Sequence, residues 1–370
     1  METLTIDRIE IYASPIKLKE PFVISLGTLY YAENVVVVIR TKDGLVGFGE
    51  CSPFATINGE TMATAMVVGE LLAKALKGNN ALDITSCSAL MDKIIYGNTS
   101  IKSAFDIALH DIAAQHAGLP LYAFLGGKKN KIIKTDYTVS LGSVEKMVAD
   151  AQKIVDRGFQ FIKIKLGGKK EEDILRVKNI REKVGAQIPI RIDANQGWNT
   201  TDALEILKAI APYAIQHCEE PIPRWQFMDL ANLKKESPIQ IMADESCCDH
   251  HDAKRLIDLK ACDSLNVKLG KSSGILKAMK IIRLAEQSDL KVQIGGFLES
   301  RLAFTASAHL ALCSDHIIHY DFDTPLMFEE DPVVGGIVYG EGGVVNVPEV
   351  LGLGASMEES YLQRLAKMVI

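Results

Sequence analysis

Pro189-Ile190-Arg191-Ile192-Asp193 is a short β-branched run that ends on a carboxylate, at the head of the string RIDANQGW. The same grammar repeats on both sides of it. Phe161–Lys165 ends on a lysine 28 residues earlier. Ile215–Glu219, Gln240–Asp244 and Ser264–Lys268 end on charged residues at further steps of 26, 25 and 24. A step of that length holds one strand, one helix and two loops. Three carboxylates flanked by lysines, all at strand ends, converge if the strands run parallel around a barrel, where strand C-termini face one mouth.

The alternation extends well beyond these five. Candidate strands are Lys134–Ser140, Phe161–Lys165, Pro189–Asp193, Ile215–Glu219, Gln240–Asp244, Ser264–Lys268, Lys291–Ile294 and Ile317–Asp321. Helical patterns such as Val144–Arg157, Glu171–Val184, Thr201–Ala211 and Gly274–Gln287 lie between them. Eight strands with helices between them predict an α/β barrel. No GxGxxG follows a strand, which argues against an open dinucleotide-binding sheet. The first third reads differently. Thr3–Ala13, Asn34–Arg40 and Leu45–Glu50 are strand-like, with a turn at Lys42-Asp43-Gly44. A helix over 101–117 is predicted next, capped by Thr99 or Ser100 and stopped by Gly118 and Pro120. The reading is an amino-terminal α+β region (1–125), a barrel (126–324) and a carboxy-terminal segment (325–370). That last segment holds strand-like VVGGIVYG and GGVVNVP and a helix over 357–368, and it returns to complete the first region.

The bulk numbers narrow the function classes. Net charge is −6 with no basic stripe, which excludes ordinary nucleic-acid binding. Seven cysteines include no CxxC pair, so neither a disulfide framework nor a zinc site is expected. No apolar run reaches membrane-spanning length, and the first residues lack the charged and apolar blocks of a signal peptide. A cytoplasmic location is the expectation.

The strand ends carry the chemistry. Asp193, Glu219 and Asp244 offer oxygen ligands only, which suits Mg²⁺, with Mn²⁺ as a substitute. Pleat alternation predicts that Glu220 and Glu245, beside them, point away from the interior. Lys163 and Lys165 share one strand face by the period of two. Lys268 stands three strands beyond Asp193, on the other side of the metal. Mutual repulsion, a nearby cation and partial burial are expected to lower the pKa of these lysines, making them usable bases. A metal between two lysines suits abstraction of a proton α to a carboxylate, giving an enediolate. Return of a proton to the other face is epimerisation; loss of a leaving group is elimination or cycloisomerisation.

These strings resemble the enolase superfamily, in its muconate-lactonising-enzyme subgroup, and most closely the dipeptide epimerases. The strings are Lys163-Ile164-Lys165, Asp193-Ala194-Asn195-Gln196, Glu219-Glu220-Pro221, Asp244-Glu245-Ser246 and the strand end at Lys268. The resemblance implies a modified (β/α)7β TIM-type barrel with an α+β capping domain formed by both chain ends. It implies Asp193, Glu219 and Asp244 as Mg²⁺ ligands, Lys165 and Lys268 as paired acid and base, and Lys163 beside the substrate carboxylate. Asp321-Phe322-Asp323 matches the motif that holds the α-ammonium group of a dipeptide. Thr138, Gly296 and Leu298 match further substrate-contacting positions. The implied partner is a small dipeptide; assembly into a homo-oligomer stays open. Epimerases acting on Ala-Glu carry an arginine in the first capping loop, where this chain has Gly27. A neutral, hydrophobic or aromatic second residue is therefore expected, with Phe22, Leu26, Ile57, Phe297 and Leu298 as candidate walls. Loops over 23–31 and 53–61 are expected to close over it. The competing readings are an N-acylamino acid racemase or o-succinylbenzoate synthase, and a muconate-type cycloisomerase. All leave Asp321 and Asp323 unexplained. A Schiff-base aldolase and a non-catalytic barrel are more distant alternatives.

Overall fold

The computed structural model describes residues 3–370. Its amino-terminal region opens with three antiparallel strands, β1 (Ile6–Ile24), β2 (Gly27–Thr41) and β3 (Val46–Cys51). Four helices follow: α1 (Met62–Leu76), α2 (Ile84–Ile94), α3 (Thr99–His116) and the short α4 (Leu121–Phe124). Val35–Ile39 is apolar at every position because both faces of β2 are covered. Val35, Val37 and Ile39 pack into the helical side, whereas Val36 and Val38 join the larger core shared with the barrel. Gly47 and Gly49 let β3 approach α3 closely. A Cβ on Gly49 would sit 1.9 Å from the Ala104 carbonyl oxygen, and one on Gly47 would sit 2.1 Å from that of Ala108.

After β4 (Ile133–Lys134) the alternation begins. It runs β5 (Tyr137–Val139), α5 (Val144–Asp156), β6 (Ile162–Lys165), α6 (Lys170–Val184), β7 (Ile190–Asp193), α7 (Thr200–Ile210), β8 (Ile215–Glu219) and α8 (Phe227–Glu236). It continues with β9 (Gln240–Ala243), α9 (His250–Asp258), β10 (Ser264–Lys268), α10 (Ile275–Gln287), β11 (Lys291–Gly295), α11 (Arg301–Ala311) and β12 (Ile317–Tyr320). β5 to β12 form one parallel sheet in sequence order. Its two edges meet through side chains as well as backbone. Asp136 N–H donates to the Tyr320 carbonyl at 3.2 Å. Phe322 N–H donates to Thr135 Oγ1 at 2.8 Å, and Thr138 N–H to Asp323 Oδ2 at 2.6 Å. The result is the predicted (β/α)7β barrel.

Local chemistry explains the helix starts. Ser143, Asn199, Asp249 and Ser300 cap α5, α7, α9 and α11 through their side-chain oxygens. Two barrel helices also take a cap from the amino-terminal region. Asp106 on α3 accepts the Ile275 N–H at the head of α10, at 2.5 Å. Glu50 on β3 accepts N–H bonds from Ser300 and Ala303 of α11 at 3.0–3.1 Å, and the Ser300 hydroxyl at 2.7 Å.

Several expectations need correction. Lys134–Ser140 is not one strand. β4 pairs with the tail, and only Tyr137–Val139 enters the barrel. Neither Thr99 nor Ser100 caps α3; both lie inside its first turn, and the Glu60 carboxylate takes the Ser100 N–H at 3.0 Å instead. β1 is longer than predicted because it pairs with β2 along nearly its whole length. The predicted helix over 357–368 shrinks to α12 (Glu359–Arg364). It leaves room for a last strand, Lys367–Val369, that pairs antiparallel with β1. That strand brings the chain's end into the amino-terminal sheet. Among the described residues, no helix is long and apolar enough to cross a membrane.

The close approach of β3 to α3 yields a stability test. Gly49→Ala is expected to lower stability by about 1–3 kcal/mol through overpacking. A urea unfolding midpoint equal to that of the parent would contradict this packing.

Candidate active site

Register aligns the strand ends. Lys165 is paired with Asp193, and Asp193 with Glu219, across β6, β7 and β8. Asp244 follows β9 directly, and Lys268 ends β10. Among the described residues, Asp193, Glu219 and Asp244 form one group whose ligand oxygens lie within 4.8 Å of one another. All three are fully buried. The backbone breaks sharply after two of them, with positive φ at Asn195, Gln196 and Glu220. Asp173 on α6 ties the loops together by accepting the N–H groups of Gly167 and Gly168 and the Trp198 indole N–H, at 2.8–3.0 Å.

The lysines converge on the same point. Lys165 Nζ lies 2.6 Å from Asp193 Oδ2, and Lys268 Nζ lies 2.7 Å from Asp244 Oδ2. Lys163 Nζ touches three carboxylates: Glu219 at 2.8 Å, Asp321 at 2.9 Å and Asp193 at 3.1 Å. With the carboxylates alone around them, Lys163 and Lys268 move upward and not downward. Burial pulls Lys163 down, but Asp321, Glu219 and Asp193 carry it well above the ordinary lysine range. Burial likewise works against Lys268, and Asp244 and Glu219 outweigh it upward. The physical reason is that the neighbouring carboxylates exert a larger field than the other amines.

The three carboxylates divide unequally. Burial raises Asp193, but Lys165 and Lys163 bring it down to about 2. Burial and the Asp193 charge push Glu219 up to about 8. Three carboxylates this close need positive charge beside them to stay ionised together. An oxygen-only, buried, anionic trio of this kind fits a hard divalent cation such as Mg²⁺.

Glu220 and Glu245 stay outside the trio. The positive φ at Glu220 takes it out of the pleat. Its carboxylate accepts the N–H groups of Asp244 at 2.7 Å and Ser246 at 3.2 Å, and the Ser246 hydroxyl. Glu245 accepts from Asn195 Nδ2 at 3.1 Å.

Above the trio lies a narrow cleft of about 30 Å³. It gathers Lys165, Lys268, Thr138, Gly296, Leu298, Asp321 and Asp323, with Phe22, Ile57 and Phe297 as walls. Leu26, also expected there, lines the adjoining cavity under the β1–β2 hairpin instead. Asp323 is fully buried, and its Oδ1 has no hydrogen-bond partner among the described residues. Burial and the neighbouring Asp321 raise its carboxyl to about 7. Both predicted loops reach the cleft. Ile24 comes from the first, which is the β1–β2 hairpin and not an open loop, with Phe22 just before it on β1; Phe54 and Ile57 come from the second. Ser25 Oγ donates to the Asn195 carbonyl at 2.8 Å, and the Arg224 guanidinium holds the Ile57 carbonyl at 2.5 Å. The Phe54 and Phe297 rings meet with centroids 5.3 Å apart, and Phe297 lies over Lys268.

Sequence reasoning missed the groups that hold the carboxylates. Asn266 and Gln293 donate to the two Glu219 oxygens at 2.8 and 3.1 Å. Asn266 is two residues before Lys268, so strand alternation places it on the same inward face, and that signal was available. Lys271 donates to Asp244 from a turn beyond β10, where no periodicity points to it.

The chain also matches known proteins along nearly its whole length. Residues 7–126 match the mandelate racemase / muconate lactonizing enzyme N-terminal domain, and residues 146–361 match the enolase C-terminal domain-like family. A D-Ala-D/L-Ala epimerase from Cytophaga hutchinsonii is 60% identical over 99% of this chain and 100% of its own. A hydrophobic dipeptide epimerase from Enterococcus faecalis is 40% identical over 95% of this chain and 100% of its own. The crystal structure of the dipeptide epimerase from Cytophaga hutchinsonii, complexed with Mg and D-Ala-L-Val, superposes with a TM-score of 0.99. It covers 99% of this chain and 100% of that one, at 60% identity. Fold, strand-end motifs and these matches agree: the chain belongs to the mandelate racemase/muconate lactonizing enzyme family of the enolase superfamily.

Proposed function

We propose that this protein is a Mg²⁺-dependent dipeptide epimerase that inverts the α-carbon of the carboxy-terminal residue. The observation that carries this reading is the placement of Lys165 and Lys268. They approach the carboxylate trio from different strands, one bonded to Asp193 and the other to Asp244, and both line one cleft. The dipeptide epimerases among the relatives support the same substrate class.

Asp193, Glu219 and Asp244 would hold the Mg²⁺. Bound there, the ion supplies positive charge that acidifies the α-hydrogen beside the substrate carboxylate and offsets the carboxylate field acting on the lysines. Asp323 Oδ1 is an orphaned buried acceptor, which an ammonium N–H of the substrate satisfies. Asp321 sits beside it, anchored by Lys163. A dipeptide fixed at both ends in this way presents its α-carbon between two amines. One amine, neutral, takes the α-hydrogen. The other, protonated, gives a hydrogen to the opposite face. One C–H bond breaks and one forms, so the net change is configuration alone. Phe22, Phe54, Ile57 and Phe297 exclude water around the reacting carbon. The cleft shares Ile24, Phe54 and Leu298 with the larger cavity under the β1–β2 hairpin, so a dipeptide spans the two.

The second residue of the substrate is apolar in this reading. The adjoining cavity of about 400 Å³ is lined by Leu26, Gly27, Leu29, Tyr30, Phe54 and Leu298, among others, and by no lysine or arginine among the described residues. A Cβ on Gly27 would meet nothing within 4 Å, so the position offers open space and no charge. A glutamate side chain entering here would lose its hydration without gaining a cation.

Three outcomes are expected. Chelation by EDTA should abolish epimerisation and added Mg²⁺ should restore it; activity that survives metal removal would end the metal reading. Lys165→Ala and Lys268→Ala should each lower the epimerisation rate by about 10²–10⁴-fold or more. In D₂O each variant should still exchange the α-hydrogen of one epimer, as followed by NMR. Parent-like epimerisation by either variant would refute the two-base scheme. Finally, a dipeptide library in D₂O, read by mass spectrometry, should show faster deuterium uptake for Ala-Xaa with apolar Xaa than for Ala-Glu. A preference for Ala-Glu would overturn the specificity.

A further inference from the structure

Each carboxylate of the trio has one oxygen held by a group other than the strand-end lysines. Asp193 Oδ1 accepts the Asn195 backbone N–H at 2.9 Å. Glu219 Oε1 accepts Asn266 Nδ2 at 2.8 Å. Asp244 Oδ1 accepts Lys271 Nζ at 2.5 Å. The second oxygen of each meets a lysine of β6 or β10: Asp193 Oδ2 meets Lys165, Glu219 Oε2 meets Lys163 and also accepts Gln293 Nε2, and Asp244 Oδ2 meets Lys268. Two of the three holders are neutral amides. The third is a full cation.

Lys271 is unusual in its surroundings. Its side chain has 0% exposure. Besides Asp244 Oδ1, its amine reaches the Asp244 carbonyl, the Cys247 carbonyl at 3.1 Å and the Asn266 carbonyl at 2.9 Å. An ammonium has three N–H donors and no acceptor, so four acceptors saturate it. Three come from Asp244 and Cys247, in the segment that follows β9, and the fourth from Asn266 within β10, the strand that ends on Lys268. It lies outside the cleft walls, so it does not meet substrate. A long side chain bearing a charge is a poor choice for a filler at a fully buried position, where an aliphatic residue packs without desolvating a cation.

We infer that Lys271 is a positioning residue of the metal centre: its buried ammonium fixes the rotamer of Asp244, ties the β9 and β10 ends together, and offsets one of the three clustered negative charges. The inference rests on the reading of Asp193, Glu219 and Asp244 as a Mg²⁺ site. Removing the ammonium has two opposing consequences. Losing a nearby positive charge strengthens the pull on a dication, whereas losing the clamp lets the Asp244 carboxylate turn away. The clamp dominates, because the amine bonds backbone at both strand ends as well as the carboxylate. Partners that orient a metal ligand typically change metal affinity by about 10–100-fold.

The test is Lys271→Met, which keeps length and apolar bulk without the charge. Mg²⁺ affinity is read on the full chain, from the rise of the thermal unfolding midpoint across a MgCl₂ titration. The metal-free midpoint comes from the same curves. Lys271→Met is expected to bind Mg²⁺ about 10–100-fold more weakly than the parent. Its turnover should recover at saturating Mg²⁺ far more than at low Mg²⁺. A merely structural lysine would lower the metal-free midpoint and leave the Mg²⁺ dissociation constant unchanged, and that result overturns the inference. Tighter Mg²⁺ binding overturns it too, since charge and not position would then be the main effect. If Lys271→Met does not fold, Lys271→Gln, which keeps a donor but neither reach nor charge, is titrated with the same expectation. A parent that shows no Mg²⁺-dependent stabilisation removes the metal reading itself, and this inference with it.

Discussion

Mutual repulsion among buried carboxylates is the constraint around which this molecule is arranged. Asp193, Glu219 and Asp244 are brought within a few ångströms at the barrel mouth, with Asp321 and Asp323 close behind. A lone charge at such depth is unaffordable, and breaking a buried ion pair by removing one partner costs about 3–5 kcal/mol. The chain answers with buried amines at Lys163, Lys165, Lys268 and Lys271, and with amide donors at Asn195, Asn266 and Gln293. Each of these residues sits at or near a strand end. The parallel barrel is thus the device that brings opposite charges from distant sequence positions into one layer.

The amino-terminal region does more than cover the mouth. Glu50 and Asp106 serve as helix caps for α11 and α10, so the barrel's own helices start on carboxylates borrowed from the other part of the chain. A helix N-cap is worth about 1 kcal/mol, and each bridge also sets a distance. Asn34 joins Glu50 to the Leu298 carbonyl, which places the loop carrying Phe297 and Leu298 over Lys268. Stability and the shape of the cleft are therefore set by the same contacts.

Much of this was legible in the residues. The even step from Lys165 to Lys268 foretold the barrel and the convergence, because strand period and strand-end geometry are local rules. Asp321 and Asp323 line the cleft, whereas Lys163 lies outside its walls, buried among Glu219, Asp321 and Asp193. What stayed hidden depends on distant partners. The split of Lys134–Ser140 follows from pairing with a tail strand some two hundred residues away. The start of α3 is satisfied by Glu60, which no local capping pattern announces. The upward shift of Lys163 and Lys268 needed the full list of neighbouring carboxylates, and a sequence shows only those nearby in the chain. Lys271 lies in a turn, where residue type alone suggests a solvated charge.

The seam between β5 and β12 has a consequence for how such proteins diversify. Asp323 sits in the cleft and also accepts the Thr138 N–H that helps join the two edges of the sheet. Changing residue 323 to suit a new ligand would loosen the barrel at the same stroke. The hairpin around Gly27 plays no part in that seam and borders open space, although the φ of 142° at residue 27 itself favours glycine. Descendants of this sequence should therefore explore new diets through the hairpin, while the seam residue is inherited nearly untouched.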